Sequence, residues 1–207
     1  MEILRDPKRR ASERIDVYGF FVTLATCCRQ LGNYHAVFAL TGALTSPLLA
    51  WVQEIAHRRD KHALSLLKRV VRSDNNYRVY LADLTKCSPD APHVPYLGLL
   101  NRTMLVLETD APVFVGDAVN FLRCRKIWTV TGEFLSGRKE GAKDEAIVVH
   151  PSVRRALAAS MSRTRLDYNE LSEMSAKAKA GFLKSVAQRA FHQARKLGHQ
   201  VLREPPF

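Results

Sequence analysis

Apolar residues along this chain recur almost everywhere at intervals of three and four, the period of an α-helix, with little of the strict alternation that marks a strand. From Ile15 to Leu31 the residues Ile15, Val17, Phe20, Phe21, Leu24, Ala25 and Leu31 predict a first helix that ends near Gly32. "NYHAVFALTGAL", starting by Asn33, predicts a second and strongly apolar one. "TSPLLAWVQEIAHRR" predicts a third, with Ser46 as N-cap and Pro47 in the first turn, where its missing N–H is no loss. "KHALSLLKRVVRSDNNYRVYLADL" predicts one or two more, with a tight break between Ser73 and Asn76. A proline-rich loop from Ser88 to Pro95 leads into "HVPYLGLLNRTMLVLETDAP", residues 93 to 112, an apolar run of helical length closed by acid. Another helix is expected over 116 to 135, then the polar Gly/Lys loop "SGRKEGAKDE". "AIVVH" is the one strand candidate, and further helices begin near Pro151 and Asp167. With no repeat and no low-complexity tract, the pattern predicts a single all-α domain.

Composition supports this and adds one feature. At 207 residues, with 46% hydrophobic and 25% charged residues, the chain suits one globular domain with a sizeable core. Its net charge of +12 argues for an acidic partner: nucleic acid, an anionic membrane surface or an acidic protein. Cys27, Cys28, Cys87 and Cys124 lack CxxC spacing, and neighbouring cysteines rarely bridge each other, so reduced thiols and a cytoplasmic location are expected. The N-terminal "MEILRDPKRRASER" is charged and has none of the apolar core of a secretory signal. No run approaches the roughly 18 to 20 apolar residues of a membrane span.

Catalytic signatures do not emerge. "SGRKEGAK" lacks the spacing and the preceding buried strand of a phosphate-binding loop. His57 and His62 are five apart on a charged face, which does not stack two imidazoles on one metal. Cys27 and Cys28 sit among apolar residues that favour packing over nucleophilic chemistry. No metal site, no cofactor and no covalent chemistry are expected, which leaves binding or exchange.

Four blocks then carry a resemblance. "LGNYHAVFALTGALTSPLLAWV" presents Leu31, Asn33, Tyr34, Leu44, Ser46 and Pro47. "NNYRVYLADL" presents Asn76, Tyr77, Tyr80 and Leu84. "PHVPYLGLL" presents Pro92, Pro95, Tyr96 and Gly98, and "AVNFLRCRKIWTVTGEF" presents Asn120, Phe121, Arg125, Lys126 and Ile127. In this order they resemble the catalytic domain of guanine nucleotide exchange factors for Ras-family GTPases, the RasGEF domain. "LDYNELSEMS", with Leu166, Leu171 and Ser172, is similar to the helix that closes such domains. The resemblance covers roughly residues 15 to 175. It implies an all-α body with a protruding helical hairpin, here about 95 to 135, that pries open the nucleotide site of a Ras-family small GTPase.

Carried over by position, the apolar residue that blocks Mg²⁺ in the family falls on Leu105, for which a simple core leucine is the plainer alternative, and the acidic pair at the end of the same helix falls on Glu108 and Thr109, so the second acid is lost. Tyr77 and Tyr96 match aromatic positions that receive an aromatic residue of the GTPase switch region; two tyrosines bracing the hairpin is the plainer alternative. Arg125 and Lys126 match a basic run behind the hairpin, where a solvated helix face is the plainer alternative. Other positions depart from the family pattern: Leu81 stands for an arginine, Trp51 for a basic residue, and the corner reads Glu108, Thr109, Asp110, Ala111, Pro112. The family's opening helices and the N-terminal module that supports the hairpin are expected to be missing. A divergent exchanger, a fragment and a binder that does not exchange all remain open.

Beside this domain the sequence predicts a basic tail at 1 to 14 and a basic amphipathic helix over 176 to 207. From Ser175 to Glu204 there are seven Lys or Arg against one acid, and Leu183, Val186, Ala190, Ala194, Leu197 and Val201 form an apolar stripe. Such a helix either packs on the domain with its basic face in water or docks on a membrane surface, which would recruit the protein to the inner face of a membrane. A nucleic-acid partner is disfavoured because no binding motif accompanies the charge.

Overall fold

The computed structural model describes residues 9–86, 93–135 and 167–201, together with Ile3 and a few positions between 151 and 159. "SGRKEGAKDE", "AIVVH", Pro92 and Leu166 lie outside the described residues.

The fold is all-α. Helix α1 spans Ala11–Gln30, α2 Tyr34–Leu44, α3 Ala50–Ile55, α4 Arg58–Val71, α5 Arg78–Lys86, α6 Leu97–Asp110, α7 Phe121–Leu135 and α8 Tyr168–Val201. A 3₁₀ turn, Pro47–Leu49, precedes α3, and a two-stranded hairpin, β1 Phe114–Val115 with β2 Ala118–Val119, joins α6 to α7.

Local chemistry sets most of the helix ends. Gly32, with φ of 71°, closes α1 in the left-handed conformation that only glycine adopts without strain. Asn33 then caps α2, its side chain accepting from the Ala36 N–H at 3.1 Å. Ser46 accepts from the Leu48 N–H with Pro47 at the first position, as expected from the sequence. Asp167 and Glu170 form a reciprocal capping box at the start of α8, with bonds of 2.8 and 2.9 Å.

The core gathers residues that share one face of each helix. Tyr18, Val22 and Ala25 of α1 meet Val37 and Leu44 of α2, Trp51 and Val52 of α3, and Leu64 and Leu67 of α4. The spacings of three, four and seven put the α1, α2 and α4 sets each in one stripe, while the adjacent Trp51 and Val52 present a wider face of the short α3. The Tyr18 hydroxyl donates to the Leu44 carbonyl at 3.3 Å, so the deepest tyrosine keeps a partner. Arg29 donates through two nitrogens to Asp83 Oδ2, at 2.9 and 2.5 Å, and ties the end of α1 to α5.

Four expectations need correction. The first helix begins at Ala11 and not near Ile15, and Arg14, placed in a basic tail by the sequence, is 2% exposed and donates to the Ile3 carbonyl. The third helix stops at Ile55, and His57 opens α4 as its N-cap. The helix expected over 116 to 135 starts only at Phe121, because Val113 to Val119 turn back on themselves as a β-hairpin around Gly116. The expected division between 175 and 176 falls inside α8, a single helix of 34 residues.

Candidate functional site

Two features stand apart from the core, and both use the blocks that carried the resemblance. The first is an aromatic platform. Tyr34 and Phe38, one helical turn apart, share a face of α2. Phe38 stacks flat on Tyr96 with ring centres 3.7 Å apart, and meets Tyr80 edge-on at 5.5 Å. Tyr34 packs on Tyr80 at 5.1 Å, and Tyr77 lies 5.8 Å from Phe38 and 6.2 Å from Tyr96. Tyr34 and Tyr80 are buried, whereas Tyr77, Tyr96 and Phe38 are half-buried at the edge of the cluster.

Backbone geometry holds this platform in place. Asn75, Asn76 and Tyr77 have φ of 51°, 53° and 60°, three consecutive residues in the left-handed region. Asparagine tolerates that region, but a tyrosine there costs roughly 1–2 kcal/mol, which its ring contacts must offset. The expected break at Ser73–Asn76 is therefore a turn that aims Tyr77 at Phe38. On the other side, the Tyr80 hydroxyl accepts from the Tyr96 N–H at 3.0 Å, and Val94 exchanges backbone bonds with Tyr34 and Gly32 at 2.9 and 3.0 Å. Gly98 lets the Tyr96 ring lie close over the start of α6, since a Cβ there would sit 2.3 Å from the ring's Cζ and hydroxyl oxygen and displace it.

The second feature is the hairpin rooted on that platform. α6 starts at Leu97, directly after Tyr96, and packs against α7 as the other arm. Not one residue of its 14 is buried. Leu105 is 60% exposed, so it is no core leucine. Glu108 and Thr109 follow at three and four residues, the spacing that places all three on one face. The Thr109 hydroxyl bonds back to the Leu105 carbonyl at 3.1 Å, with Asp110 Oδ1 at 3.2 Å. Asp110, exposed in the same last turn, is an acid the carry-over missed; the Glu-Thr-Asp triplet was its signal. It points roughly 140° away from Leu105 around the helix, so Glu108 is the carboxylate that shares the Leu105 face.

The corner between the arms is built by Asn120. Its amide N–H₂ donates to the Pro112 carbonyl at 2.9 Å, its side-chain oxygen accepts from the Arg123 N–H at 3.2 Å, and its own N–H donates to the Val113 carbonyl at 2.8 Å. One side chain thus caps α7 and pins the β-hairpin, which explains an asparagine at this place in the block. Arg125 and Lys126 are exposed on α7, with no side-chain hydrogen bond or ion pair among the described residues.

The structure brings Tyr77 and Tyr96 together and Leu105, Glu108 and Thr109 together, but as two separate places. At 1.5 Å per residue Leu105 lies roughly 14 Å and Glu108 roughly 18 Å along α6 from Tyr96. Reading residues singly also missed Phe38, the ring on which both tyrosines rest; its spacing of four from Tyr34 was the available signal.

A helical body, an aromatic platform and an exposed hairpin define an all-α domain with a projecting pair of helices. The chain belongs to the RasGEF domain family, whose model matches residues 1–125. That stretch holds the whole platform, α6 and the first turn of α7. Over 130 residues the chain is 32% identical to Ras-specific guanine nucleotide-releasing factor 1 of Rattus norvegicus, covering 61% of this chain and 10% of that protein. It is 27% identical over 150 residues to the protein of that name from Homo sapiens, covering 70% of this chain and 11% of the relative. It is 26% identical over 129 residues to Ras guanine nucleotide exchange factor C of Dictyostelium discoideum, covering 61% and 9%. The chain spans about a tenth of the length of these curated relatives.

Proposed function

We propose that this chain promotes nucleotide release from a Ras-family small GTPase, using the hairpin as a wedge and the aromatic platform as its seat. The observation that carries the reading is Leu105: a large apolar side chain held out in solvent on a helix with no fully buried residue, one turn before Glu108 on the same face. An unpartnered leucine is a poor use of a residue in a stable monomer and a good one at a contact surface.

Exchange requires no bond to be made or broken. The factor binds the nucleotide-free GTPase more tightly than the loaded one, and the nucleotide's affinity falls by the same coupling free energy. Leu105 would fill the space of the Mg²⁺ ion of the GTPase and so remove the cation that neutralises the phosphates. Glu108 would repel the phosphates or take their place near the phosphate-binding loop. Tyr77 and Tyr96, presenting half-buried edges beside Phe38, would receive an aromatic residue of the switch region, and the exposed Arg125 and Lys126 would add charge complementarity on the second arm. The free thiols of Cys27, Cys28 and Cys124 fit a reducing, cytoplasmic setting.

The test is release of a fluorescent guanine nucleotide from a panel of Ras-family GTPases with this protein added. Leu105→Glu should abolish release while the melting temperature stays unchanged, because an exposed carboxylate could hold the cation where leucine would exclude it. Wild-type release from the Leu105→Glu variant, or no release by the wild type with any GTPase, would overturn the wedge. If binding to a GTPase persists without release, the chain is a binder that does not exchange.

A further inference from the structure

We infer that the C-terminal half of α8 is a docking face for an anionic lipid surface, separate from the exchange site and independent of whether the hairpin exchanges nucleotide. The two halves of α8 use different sides of the helix. Leu171, Ser175, Ala178 and Phe182 face the body: Leu171 and Ser175 are buried, the Ser175 hydroxyl donates to the Leu48 carbonyl, and Phe182 lies 5.9 Å from Trp51. Beyond Phe182 the apolar residues do not continue that line. At about 100° per residue, Leu183, Val186, Ala187, Ala190 and Phe191 centre about 120° around the axis from the body-facing set. They are exposed, Leu183 at 54% and Phe191 at 68%. Leu183, Val186, Ala187, Ala190 and Phe191 therefore turn away from the domain and do not pack on it.

Charge and width say what covers this face. Between Glu173 and Glu204 the sequence holds seven Lys or Arg and no acid, with Lys184 at one edge of the stripe and Arg189 beyond the other. A second copy of the helix would oppose cation to cation, so self-pairing is disfavoured. A coiled-coil partner would want a narrow seam flanked by pairing charges. Here the apolar face from Val186 round to Phe191 is about 140° wide, and Val186 and Phe191 occupy the flanks where such charges would stand. A broad apolar face with aromatic and aliphatic protrusions, Lys184 at its edge and no acid on this half of the helix, matches a layer of acyl chains beneath anionic headgroups, with the lysine stem reaching up to the headgroups. Among the described residues no single helix is long and apolar enough to cross a membrane, so α8 would lie in the interface.

The test is co-sedimentation of the full chain with phosphatidylcholine vesicles that contain or lack phosphatidylserine. Binding is expected only with phosphatidylserine and should weaken as salt rises. A net charge of +12 alone would draw the protein to an anionic surface, so the deciding variant is Leu183→Ser with Phe191→Ser, which leaves the charge untouched. It should lower the partition coefficient about tenfold or more, since two buried apolar side chains are lost. Both residues are exposed, so the melting temperature should hold. Unchanged binding by that variant would overturn the proposal. So would the absence of vesicle binding by the wild type, which would give the face to an acidic protein partner. A dimer in sedimentation equilibrium that the double substitution dissociates would give it instead to a second copy of this chain.

Discussion

Helices α2 and α6 are both rich in apolar residues, yet α2 fully buries Tyr34, Val37, Thr41 and Leu44 whereas α6 fully buries none of its residues. The difference lies in what surrounds them. α2 is enclosed by α1 and α4, and its inward Val37 and Leu44 join the core cluster while Tyr34 joins the aromatic one. α6 rests its base on the aromatic cluster through Leu99 and has α7 along one side, but the rest of it faces solvent, and α7 itself leaves Trp128 80% exposed. Apolar surface in the body is therefore spent on stability, while the same kind of surface on the hairpin is left for a contact. Two similar stretches of sequence thus have opposite thermodynamic roles, and substitutions should separate them.

The sharpest break is a matched pair. Leu64, 1% exposed, sits in the core, and Leu64→Ala should destabilise the chain by about 3 kcal/mol through lost burial and a residual cavity. Leu105→Ala should shift stability by less than about 0.5 kcal/mol, because its side chain is already in water. Denaturant unfolding of the two variants decides the matter, and comparable losses would mean that the hairpin is folded into the body in solution.

Next comes a tyrosine that belongs wholly to the body. Burial, and then the Asp60 carboxylate, push the Tyr18 hydroxyl up to about 12. Unfolded, it would titrate near 10. Below about pH 10 both states hold the proton and the full stability is present. Between about 10 and 12 the unfolded state loses its proton while the folded state keeps it, so stability falls as pH rises, by on the order of 2 kcal/mol in all. Tyr18→Phe should remove this part of the alkaline loss. An unfolding series across that range that looks the same in the variant would contradict the assignment.

The platform tyrosine should behave otherwise. Tyr77→Ala is expected to weaken GTPase affinity by about 2 kcal/mol, the typical loss for a central interface aromatic. Tyr77→Phe keeps the ring against Phe38 and Tyr96 and should retain most of the binding. If Tyr77→Ala melts early but binds normally when folded, the ring only braces the base of the hairpin.

What could be read from the sequence follows from how local the cause is. Ser46 with Pro47, Gly32 before Asn33, and Asp167 before Glu170 announce helix ends by capping chemistry that involves only neighbouring residues, and the structure agrees at all three. The left-handed turn at Asn75 to Tyr77 was legible as a break but not as a positioning device, because its purpose depends on Phe38, nearly forty residues away in the chain. The β-hairpin at Val113 to Val119 has a local signature in Gly116-Asp117 between β-branched and aromatic residues, masked by the helical period of the residues that follow it. The apolar stripe of α8 was visible as a stripe. That it points away from the body required the placement of Leu171 and Ser175 as a reference.

The smallest effect concerns the second position of the acidic pair, Thr109. Its hydroxyl donates only within its own turn and it is exposed, so nothing in the fold depends on it beyond a local bond to the Leu105 carbonyl. Thr109→Glu would place a second carboxylate beside Glu108 on the wedge face. The cost is modest: an anion in the last turn opposes the helix dipole and sits next to Asp110, about 0.5 kcal/mol of folding stability. The gain is a second repulsion against the phosphates of the bound nucleotide, at a surface where single charges are worth about 1 kcal/mol or less. That corresponds to roughly a threefold to fivefold faster release, measured with the same fluorescent nucleotide. Glu108→Ala should slow release by a similar factor, and Asp110→Ala should leave it unchanged because that carboxylate points elsewhere. If Asp110→Ala slows release as much as Glu108→Ala, the acidic function of the wedge has moved one residue along α6, and the face defined by Leu105 and Glu108 is not the one that meets the phosphates.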